Sequence, residues 1–287
     1  MNEIEPAQGT GSKTATRGFL EALSHRPLLM DAAMGTRLIG QGLQLQQDDP
    51  CLWNLKRPEA VLAIHKNDIE AGADVLLTNT FGANRASLAR YDRGAWVGKI
   101  IEIAVRLARQ AAGPTRFVIG SMGPSALQNP TAYREQAELL LDAGVDALLL
   151  ETHSEEGASR CGLPTLRGLT DRPILVSLVE TSQLSGPSAH RMVELGASAL
   201  GSNCQLGMQP MVLMAERMHG WGLDVPLLVK PSASLAGSQP VSPATFAEAV
   251  PLLIERGVRL VGGCCGSTEA HVGALRAALD ALASLSD

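Results

Sequence analysis

Eight short apolar runs alternate with longer segments of helical periodicity along almost the whole chain. Each run is 5–7 residues long and apolar throughout rather than alternating, which is typical of parallel strands buried on both faces. The predicted strands are Leu28–Ala32, Asp74–Thr80, Arg116–Met122, Ala147–Thr152, Pro173–Val179, Ala199–Cys204, Pro226–Lys230 and Arg259–Cys264.

The segments between these runs have apolar residues at helical spacing, and several begin near a proline and end at a glycine. A short phrase with glycine second recurs before four of the strands: AGAD, AGVD, LGAS and RGVR. Eight strand–helix units of similar length predict an α/β fold of the (β/α)8 TIM-barrel type. An open, doubly wound sheet is the alternative, and the near-equal units favour closure.

Composition is consistent with one large domain. Apolar residues make up 45% of the 287 residues and aromatic residues only 3%, so small aliphatic side chains must fill the core. Residues 1–15 are polar and lack periodicity, which predicts a disordered tail. Residues 16–287 are predicted to form a single barrel domain.

Charge and hydropathy argue against several classes of partner. The net charge of −5 offers no basic field for phosphate, so nucleic acid is not expected to bind. No apolar run approaches the length of a membrane span, and the first residues lack an apolar signal core. We therefore expect a cytoplasmic protein. Five cysteines, two of them adjacent, suit metal binding or catalysis better than a disulfide framework.

Three of those cysteines follow predicted strands. Cys204 ends strand 6, and Cys264 and Cys265 end strand 8 within VGGCCGS. Because active sites of such barrels lie at the carboxyl ends of the strands, these thiols are expected on one rim, separated by one strand. Adjacent residues of a regular strand point to opposite faces, so the pair can share an ion only if the neighbouring glycines bend the chain. Three thiolates would form an open zinc site, which can hold and activate a further thiol.

The motifs DAAMGT, TNTFGANR, MGPS, LLLET, SNCQLG and VGGCCG, in that order, closely resemble the homocysteine S-methyltransferase family. The resemblance runs from about residue 18 to residue 280. It is closest in motifs to the homocysteine-binding module of cobalamin-dependent methionine synthases. It implies a zinc-dependent barrel that moves a methyl group onto the thiolate of homocysteine to give methionine, with Cys204, Cys264 and Cys265 as the Zn²⁺ ligands.

The resemblance also implies a substrate site. Glu151 matches the glutamate that holds the amino group of homocysteine. Asp31 matches the aspartate of strand 1, and the backbone amides after it, at Ala32 and Ala33, are expected to hold the substrate carboxylate. Asn203, which precedes the first zinc cysteine, is expected to give a supporting hydrogen bond.

Several positions depart from the family pattern: Ala32 replaces a glycine, Leu77 replaces a glutamate, and Ser232 and Ser234 replace asparagine and glycine. They leave open whether the acceptor is homocysteine or another small thiol. The methyl donor is also open, between a small sulfonium or betaine and a separate methyl-corrinoid protein. A non-catalytic zinc or redox-sensing barrel is a third hypothesis.

His153 lies two residues after Glu151, so on a regular strand the two side chains share a face. The histidine is therefore expected either to contact the substrate or donor, or to be an ordinary hydrogen-bonded residue of the rim.

Overall fold

The computed structural model describes residues 11–124, 129–179, 184–234 and 239–285, with side chains from residue 18 onward. Eight strands and thirteen α-helices lie within these ranges. The strands are β1 (Leu28–Leu29), β2 (Val75–Leu77), β3 (Phe117–Met122), β4 (Ala147–His153), β5 (Ile174–Leu178), β6 (Ala199–Asn203), β7 (Leu227–Lys230) and β8 (Val258–Val261).

The helices lie before, between and after these strands. They are α1 (Gly11–His25), α2 (Met34–Gly40), α3 (Trp53–Lys56), α4 (Pro58–Glu70), α5 (Arg85–Ala89), α6 (Val97–Ala112), α7 (Pro130–Asp142), α8 (Leu163–Arg167), α9 (Gly186–Glu194), α10 (Met208–His219), α11 (Pro243–Ala247), α12 (Val250–Glu255) and α13 (Glu269–Ala283). Short 3₁₀ turns at Pro50–Leu52 and Gly94–Trp96 and a π-helical turn at Gly157–Gly162 complete the connections.

All paired strands are parallel, in the order β1-β8-β7-β6-β5-β4-β3-β2. A parallel bridge between Met30 and Val75 joins the two ends of this order. Backbone bonds from Asp74 N–H to Leu29 O at 2.8 Å and from Asp31 N–H to Val75 O at 3.0 Å flank the bridge. The sheet therefore closes, and the predicted (β/α)8 barrel is confirmed.

Two apolar layers hold the barrel together. Side chains of the strands fill its interior, and Phe19 and Leu23 of α1 join that cluster at the amino-terminal end of the barrel. The ring of Phe19 packs edge-on against Phe117, with centroids 5.1 Å apart. A larger apolar layer lies between the strands and the surrounding helices, and it contains the apolar residues on the inward faces of those helices. Helix α1 thus closes one end of the barrel and leaves the opposite rim for the site.

Several boundaries differ from the prediction. The strands β1, β2 and β8 are shorter than expected because residues after Met30, Leu77 and Val261 leave the ladder to form the rim. Residues 243–256, one of the segments with helical spacing between two predicted strands, form two helices rather than one, since Pro251 has no N–H to bond to the last turn of the first helix. Residues 11–15 lie in α1 rather than in the expected tail; residues 1–10 fall outside the described ranges.

Candidate active site

The thiols of Cys204, Cys264 and Cys265 meet at the carboxyl-terminal rim. Their sulfur atoms all lie within 4.8 Å of one another, and the Sγ atoms of Cys204 and Cys265 are 3.4 Å apart. The backbone holds both segments in place: Cys204 N–H donates to Lys230 O at 3.1 Å, and Cys264 N–H donates to Pro231 O at 2.8 Å. Strand β7 therefore aligns the ends of β6 and β8, and the structure brings together the three cysteines that the sequence placed on one rim.

Glycines allow the two adjacent cysteines to turn toward Cys204. Gly266 has a φ of +81°, which favours glycine, and a Cβ atom there would lie 2.4 Å from Cβ of Ser234. At Gly263 an added Cβ would lie 2.3 Å from Oγ of Ser267. Strand β8 ends at Val261, before the cysteine pair. Cys264 and Cys265 therefore do not point to opposite faces, as adjacent residues of a regular strand would, and the chain bends at the glycines as expected.

Protons are shared unequally among the three thiols. Hydrogen bonds from the thiols of Cys204 and Cys264 lower the pKa of Cys265, whereas hydrogen bonds to Cys264 and Cys265, together with burial, raise the pKa of Cys204. Cys265 is therefore the thiol of this cluster that loses its proton most readily. A soft divalent cation is the natural partner for three sulfur ligands at this spacing.

A cavity of about 280 Å³ opens beside the thiols. Its walls come from the loops after β1 and β2, the ends of β3, β4 and β7, and the cysteine segments. Of the residues expected to bind substrate, Asp31, Ala32, Ala33 and Glu151 line it, whereas Asn203 does not. The cavity thus holds four candidate binding residues and all three thiols.

A buried lysine, absent from the sequence-based predictions, lies in this cavity. Lys230 is 4% exposed, and its Nζ donates to Oε1 of Glu151 at 2.7 Å. Burial opposes its charge, but the carboxylates of Glu151 and Asp31 outweigh that effect and raise its pKa. The sequence does contain one indication of this residue: Lys230 is the last residue of an otherwise apolar strand. A lysine buried at such a position requires a partner of opposite charge.

The carboxylates occupy contrasting environments. Ser121 Oγ donates to Oε2 of Glu151 at 2.9 Å, so both oxygens of that carboxylate have donors. Oδ2 of Asp31 accepts the N–H of Leu77 at 2.8 Å, while its Oδ1 is enclosed and lacks a hydrogen-bond partner among the described residues. Burial raises the pKa of Asp31 to about 7, against the opposing charge of Lys230.

The β1 loop is fixed by its own hydrogen bonds. The N–H of Ala33 donates to Ser267 Oγ at 3.1 Å, and the guanidinium of Arg37 donates to the carbonyl oxygens of Ala32 and Ala33, both at 3.1 Å. Arg37 is itself paired with Asp68, with N–O distances of 2.6 and 2.7 Å. A ligand carboxylate at Ala33 must therefore share its amide with Ser267.

His153 faces away from the cavity. Strand β4 shifts register between Leu150 and His153, and Thr152 has a φ of +64°, so Glu151 and His153 do not share a face. The ring of His153 is hydrogen-bonded to Tyr133 Oη and to the carbonyl oxygen of Glu151, both at 3.0 Å. Burial lowers its pKa to about 4. Of the two expectations for this histidine, the structure shows the hydrogen-bonded one.

The residues that depart from the family pattern also shape the rim. The hydroxyl of Ser232 donates to the carbonyl oxygen of Cys204, and the N–H of Ser234 donates to the carbonyl oxygen of Cys265 at 3.1 Å. Leu77 lines the cavity and is 7% exposed. The side chain of Ser232 therefore supports the Cys204 segment directly, whereas Ser234 contacts the Cys265 segment through its backbone.

The fold and the thiol cluster together define a parallel (β/α)8 barrel with a three-cysteine centre on its carboxyl-terminal rim. Residues 28–279 match the model of the homocysteine S-methyltransferase family. The chain belongs to this family, as its motifs indicated.

Curated relatives include two much longer proteins. The chain is 32% identical over 308 aligned positions to methionine synthase of Mycobacterium tuberculosis and 33% identical over 306 positions to that of Mycobacterium leprae. Each alignment covers 91% of this chain and 25% of the relative. The chain thus spans about a quarter of the length of the methionine synthases that it matches.

Solved structures of similar length also resemble it. The metallated form of the homocysteine methyltransferase MmuM from Escherichia coli has a TM-score of 0.75 and 26% identity, covering 92% of this chain and 99% of that one. The oxidized form has the same TM-score at 28% identity. In the described ranges of the present chain, no helix is both long and apolar enough to cross a membrane.

Proposed function

We propose that this protein transfers a methyl group to the thiolate of homocysteine, giving methionine, with Zn²⁺ held by Cys204, Cys264 and Cys265. The observation that carries the proposal is the convergence of these three thiols, within 4.8 Å of one another, at the wall of a cavity lined by carboxylates and a lysine. Family membership and the similarity to MmuM and to methionine synthases support it.

The donor set fits zinc. Three sulfur ligands leave one of the four tetrahedral positions for a substrate, which is the arrangement of catalytic rather than structural zinc sites. A zinc ion bound there would lower the pKa of a substrate thiol and keep it deprotonated near neutral pH. Three thiols this close also need reducing conditions to stay available to a metal, so we propose a reducing compartment such as the cytoplasm.

The chain's own residues hold the amino-acid part of the substrate. The carboxylates of Glu151 and Asp31 suit an ammonium group, and the amides of Ala32 and Ala33 suit a carboxylate, with Arg37 fixing the carbonyl oxygens of the same loop. Asn203 lies behind the cavity and orients the chain next to Cys204. These groups place the substrate sulfur near the thiols and leave the outer side of the cavity for the methyl donor.

Zinc content of single variants tests the metal site. We expect one zinc ion per chain in the unaltered protein, and a loss of at least tenfold in affinity for Cys204→Ser, Cys264→Ser and Cys265→Ser, measured by competition with a chelator. Cys161→Ser is the matched control, because that half-buried thiol lies outside the cluster. Stoichiometric zinc in all three cluster variants would refute the shared site.

Calorimetric binding tests the acceptor. We expect the zinc-loaded protein to bind homocysteine in preference to cysteine and other small thiols, with release of about one proton as the thiol ionises. Ala32, Ser232 and Ser234 motivate the alternative of another small thiol, and equal or tighter binding of such a thiol would favour it. Zinc binding without any methyl transfer from any donor would favour a non-catalytic barrel.

The donor is either a small sulfonium or betaine or the methyl group of a separate corrinoid protein. The sequence contains no Asp-x-His-x-x-Gly cobalamin motif, and the chain matches only a quarter of the methionine synthases. A donor screen with S-methylmethionine, S-adenosylmethionine, betaine and a methyl-corrinoid protein distinguishes the two. Full-rate transfer from a free sulfonium would exclude the need for a corrinoid partner.

A further inference from the structure

The hydroxyl of Ser267 connects one of the thiol-bearing segments to the loop after β1. The side chain is fully buried, and its Oγ donates to the carbonyl oxygen of Cys264 at 2.7 Å and accepts the N–H of Ala33 at 3.1 Å. A serine hydroxyl has a single proton, so its capacity to donate is fully used by Cys264. Ser267 thus bonds at the same time to a cysteine of the cluster and to an amide that suits a ligand carboxylate.

This bond belongs to a wider contact between the β1 loop (residues 31–36) and the β8 segment (residues 263–267). Among the described residues, two further hydrogen bonds join them: Gly263 N–H donates to Asp31 O and Gly266 N–H donates to Thr36 Oγ1, both at 3.1 Å. The bond to Ser267 lies between these two along the β1 loop. The β1 loop and the β8 segment are therefore tied at three points, which holds their separation constant.

We propose that Ser267 is a positioning residue that determines which length of thiol the cavity accepts. This role rests on the proposed function and deepens it. A substrate sulfur placed beside the cysteines of the β8 segment and a carboxylate placed at the amides of the β1 loop must be joined by a chain that spans the distance between them. Because Ser267 holds that distance constant, a thiol with one methylene group fewer or more cannot satisfy both ends at once.

Three amino-acid thiols isolate the effect of chain length. Cysteine, homocysteine and 2-amino-5-mercaptopentanoate share the thiol, the ammonium group and the carboxylate, and they differ by one methylene group at each step. One methylene group accounts for about 10- to 200-fold in discrimination when a pocket is fixed. We therefore expect the zinc-loaded protein to bind homocysteine at least about tenfold more tightly than either of the other two.

Ser267→Ala tests the role, and calorimetric dissociation constants of the three thiols on zinc-loaded protein are the measurement. Alanine removes the hydroxyl, so the N–H of Ala33 loses its acceptor and the β1 loop loses one of its three ties. We expect both preferences for homocysteine to fall to about threefold or less. A purely structural defect would instead weaken the binding of all three thiols alike and leave the preferences unchanged.

Conservative and remote substitutions complete the test. Ser267→Thr keeps the hydroxyl and should keep both preferences at about tenfold or more. If either substitution at this buried site prevents folding, Thr36→Val, which removes the acceptor of Gly266, should lower both preferences, and Thr36→Ser should restore them. Ser198→Ala is the matched control, because its hydroxyl accepts the N–H of Ile174 at 3.3 Å at the opposite end of the barrel. It should leave both preferences as they are.

Each outcome bears on a different claim. Preferences that are retained in Ser267→Ala, or in Thr36→Val where that pair is used, would overturn the role of the tie and leave the proposed function intact. Equal binding of all three thiols by the unaltered protein would overturn it as well. A zinc-loaded unaltered protein that binds none of the three thiols would overturn the proposed function, and the positioning role with it.

Discussion

The side-chain amide of Asn203 joins the end of β6 to the register shift in β4 through Thr152. Its Nδ2 donates to Thr152 Oγ1 at 2.8 Å, and its Oδ1 accepts the N–H of Thr152 at 3.1 Å. Thr152 has a φ of +64°, a left-handed conformation that costs on the order of 1–3 kcal/mol for a residue other than glycine. Asn203 therefore stabilises the backbone beside Glu151 and, through the chain, the position of Cys204.

Replacing Asn203 by alanine should lower both stability and metal affinity. The N–H of Thr152 and the hydroxyl of Ser177, which donates to Asn203 Oδ1 at 2.7 Å, both lose their acceptor. We expect a loss of about 2–3 kcal/mol in the free energy of unfolding, measured with urea. Because groups behind metal ligands tune affinity, zinc should bind about tenfold more weakly.

The matched control is Asn67→Ala on the exposed face of α4, which should change stability by less than about 0.5 kcal/mol. Unchanged zinc affinity in Asn203→Ala, with the expected loss of stability, would show that Asn203 supports the fold but not the thiols.

Much of the barrel and of the thiol cluster was predictable from the sequence. Continuous apolar runs distinguish parallel buried strands, and placing Cys204 and Cys264 at strand ends was enough to bring them to one rim. The side of the strand that His153 occupies was not predictable, because β4 shifts register just before it and Thr152, at the shift, is hydrogen-bonded to Asn203, fifty-one positions away.

The ion pair between Lys230 and Glu151 was not predictable from the sequence either. Lys230 and Glu151 are seventy-nine positions apart, and neither strand pattern states which carboxylate the lysine will meet. The start of α1 shows the converse limit: residues 11–15 are polar and lack periodicity, which predicts a tail, although α1 continues through them toward Phe19. Such details depend on tertiary contacts, which the local sequence pattern does not specify.

Gly201 in β6 cannot carry a side chain. An added Cβ would lie 1.6 Å from the carbonyl oxygen of Leu228 in the neighbouring strand, so β6 and β7 would have to separate. We expect Gly201→Ala to cost about 3 kcal/mol or more and to weaken zinc binding, since this strand leads to Cys204.

Gly98 in α6 provides the opposite control. A Cβ there would meet only Leu139 Cδ2, at an ordinary 3.5 Å, and alanine favours a helix over glycine. Gly98→Ala should raise stability by about 0.5–1 kcal/mol. If Gly201→Ala and Gly98→Ala both lowered the free energy of unfolding, or if neither did, close packing at Gly201 would not explain the result.

Asp74 makes stability depend on pH in the acid range. Burial alone would raise its pKa, but hydrogen bonds from Arg26 and from the N–H of Leu29, with the charge of Arg276, lower it below its ordinary value. A depressed folded pKa contributes stability that is present above the unfolded value, about 3.9, and is lost as pH falls through the folded value.

We therefore expect Asp74→Asn to cost about 2 kcal/mol at pH 7 and progressively less below pH 4, measured by urea unfolding at several pH values. Glu102→Gln, which breaks the exposed pair with Lys99, is the control and should cost less than about 0.5 kcal/mol at any pH. A pH-independent deficit in Asp74→Asn would show that lost hydrogen-bond geometry, rather than charge, is responsible.

Asp31 should show the opposite dependence on pH. Burial raises its pKa to about 7, so between about pH 4 and pH 7 the unfolded chain loses this proton while the folded chain retains it. The folded protein binds more protons in that window, and stability due to this group falls as pH rises through it.

Asp31→Asn stays neutral and should gain on the unaltered protein, by about 2–4 kcal/mol from pH 4 to pH 8. Unfolding by urea after removal of metal with a chelator measures this difference without the contribution of zinc binding, and Asp74→Asn, the same substitution with the opposite sign, is its control. A stability difference that does not change between pH 4 and pH 8 would mean that Asp31 is ionised throughout. In that case the charge of Lys230 and the N–H of Leu77 outweigh the effect of burial on Asp31.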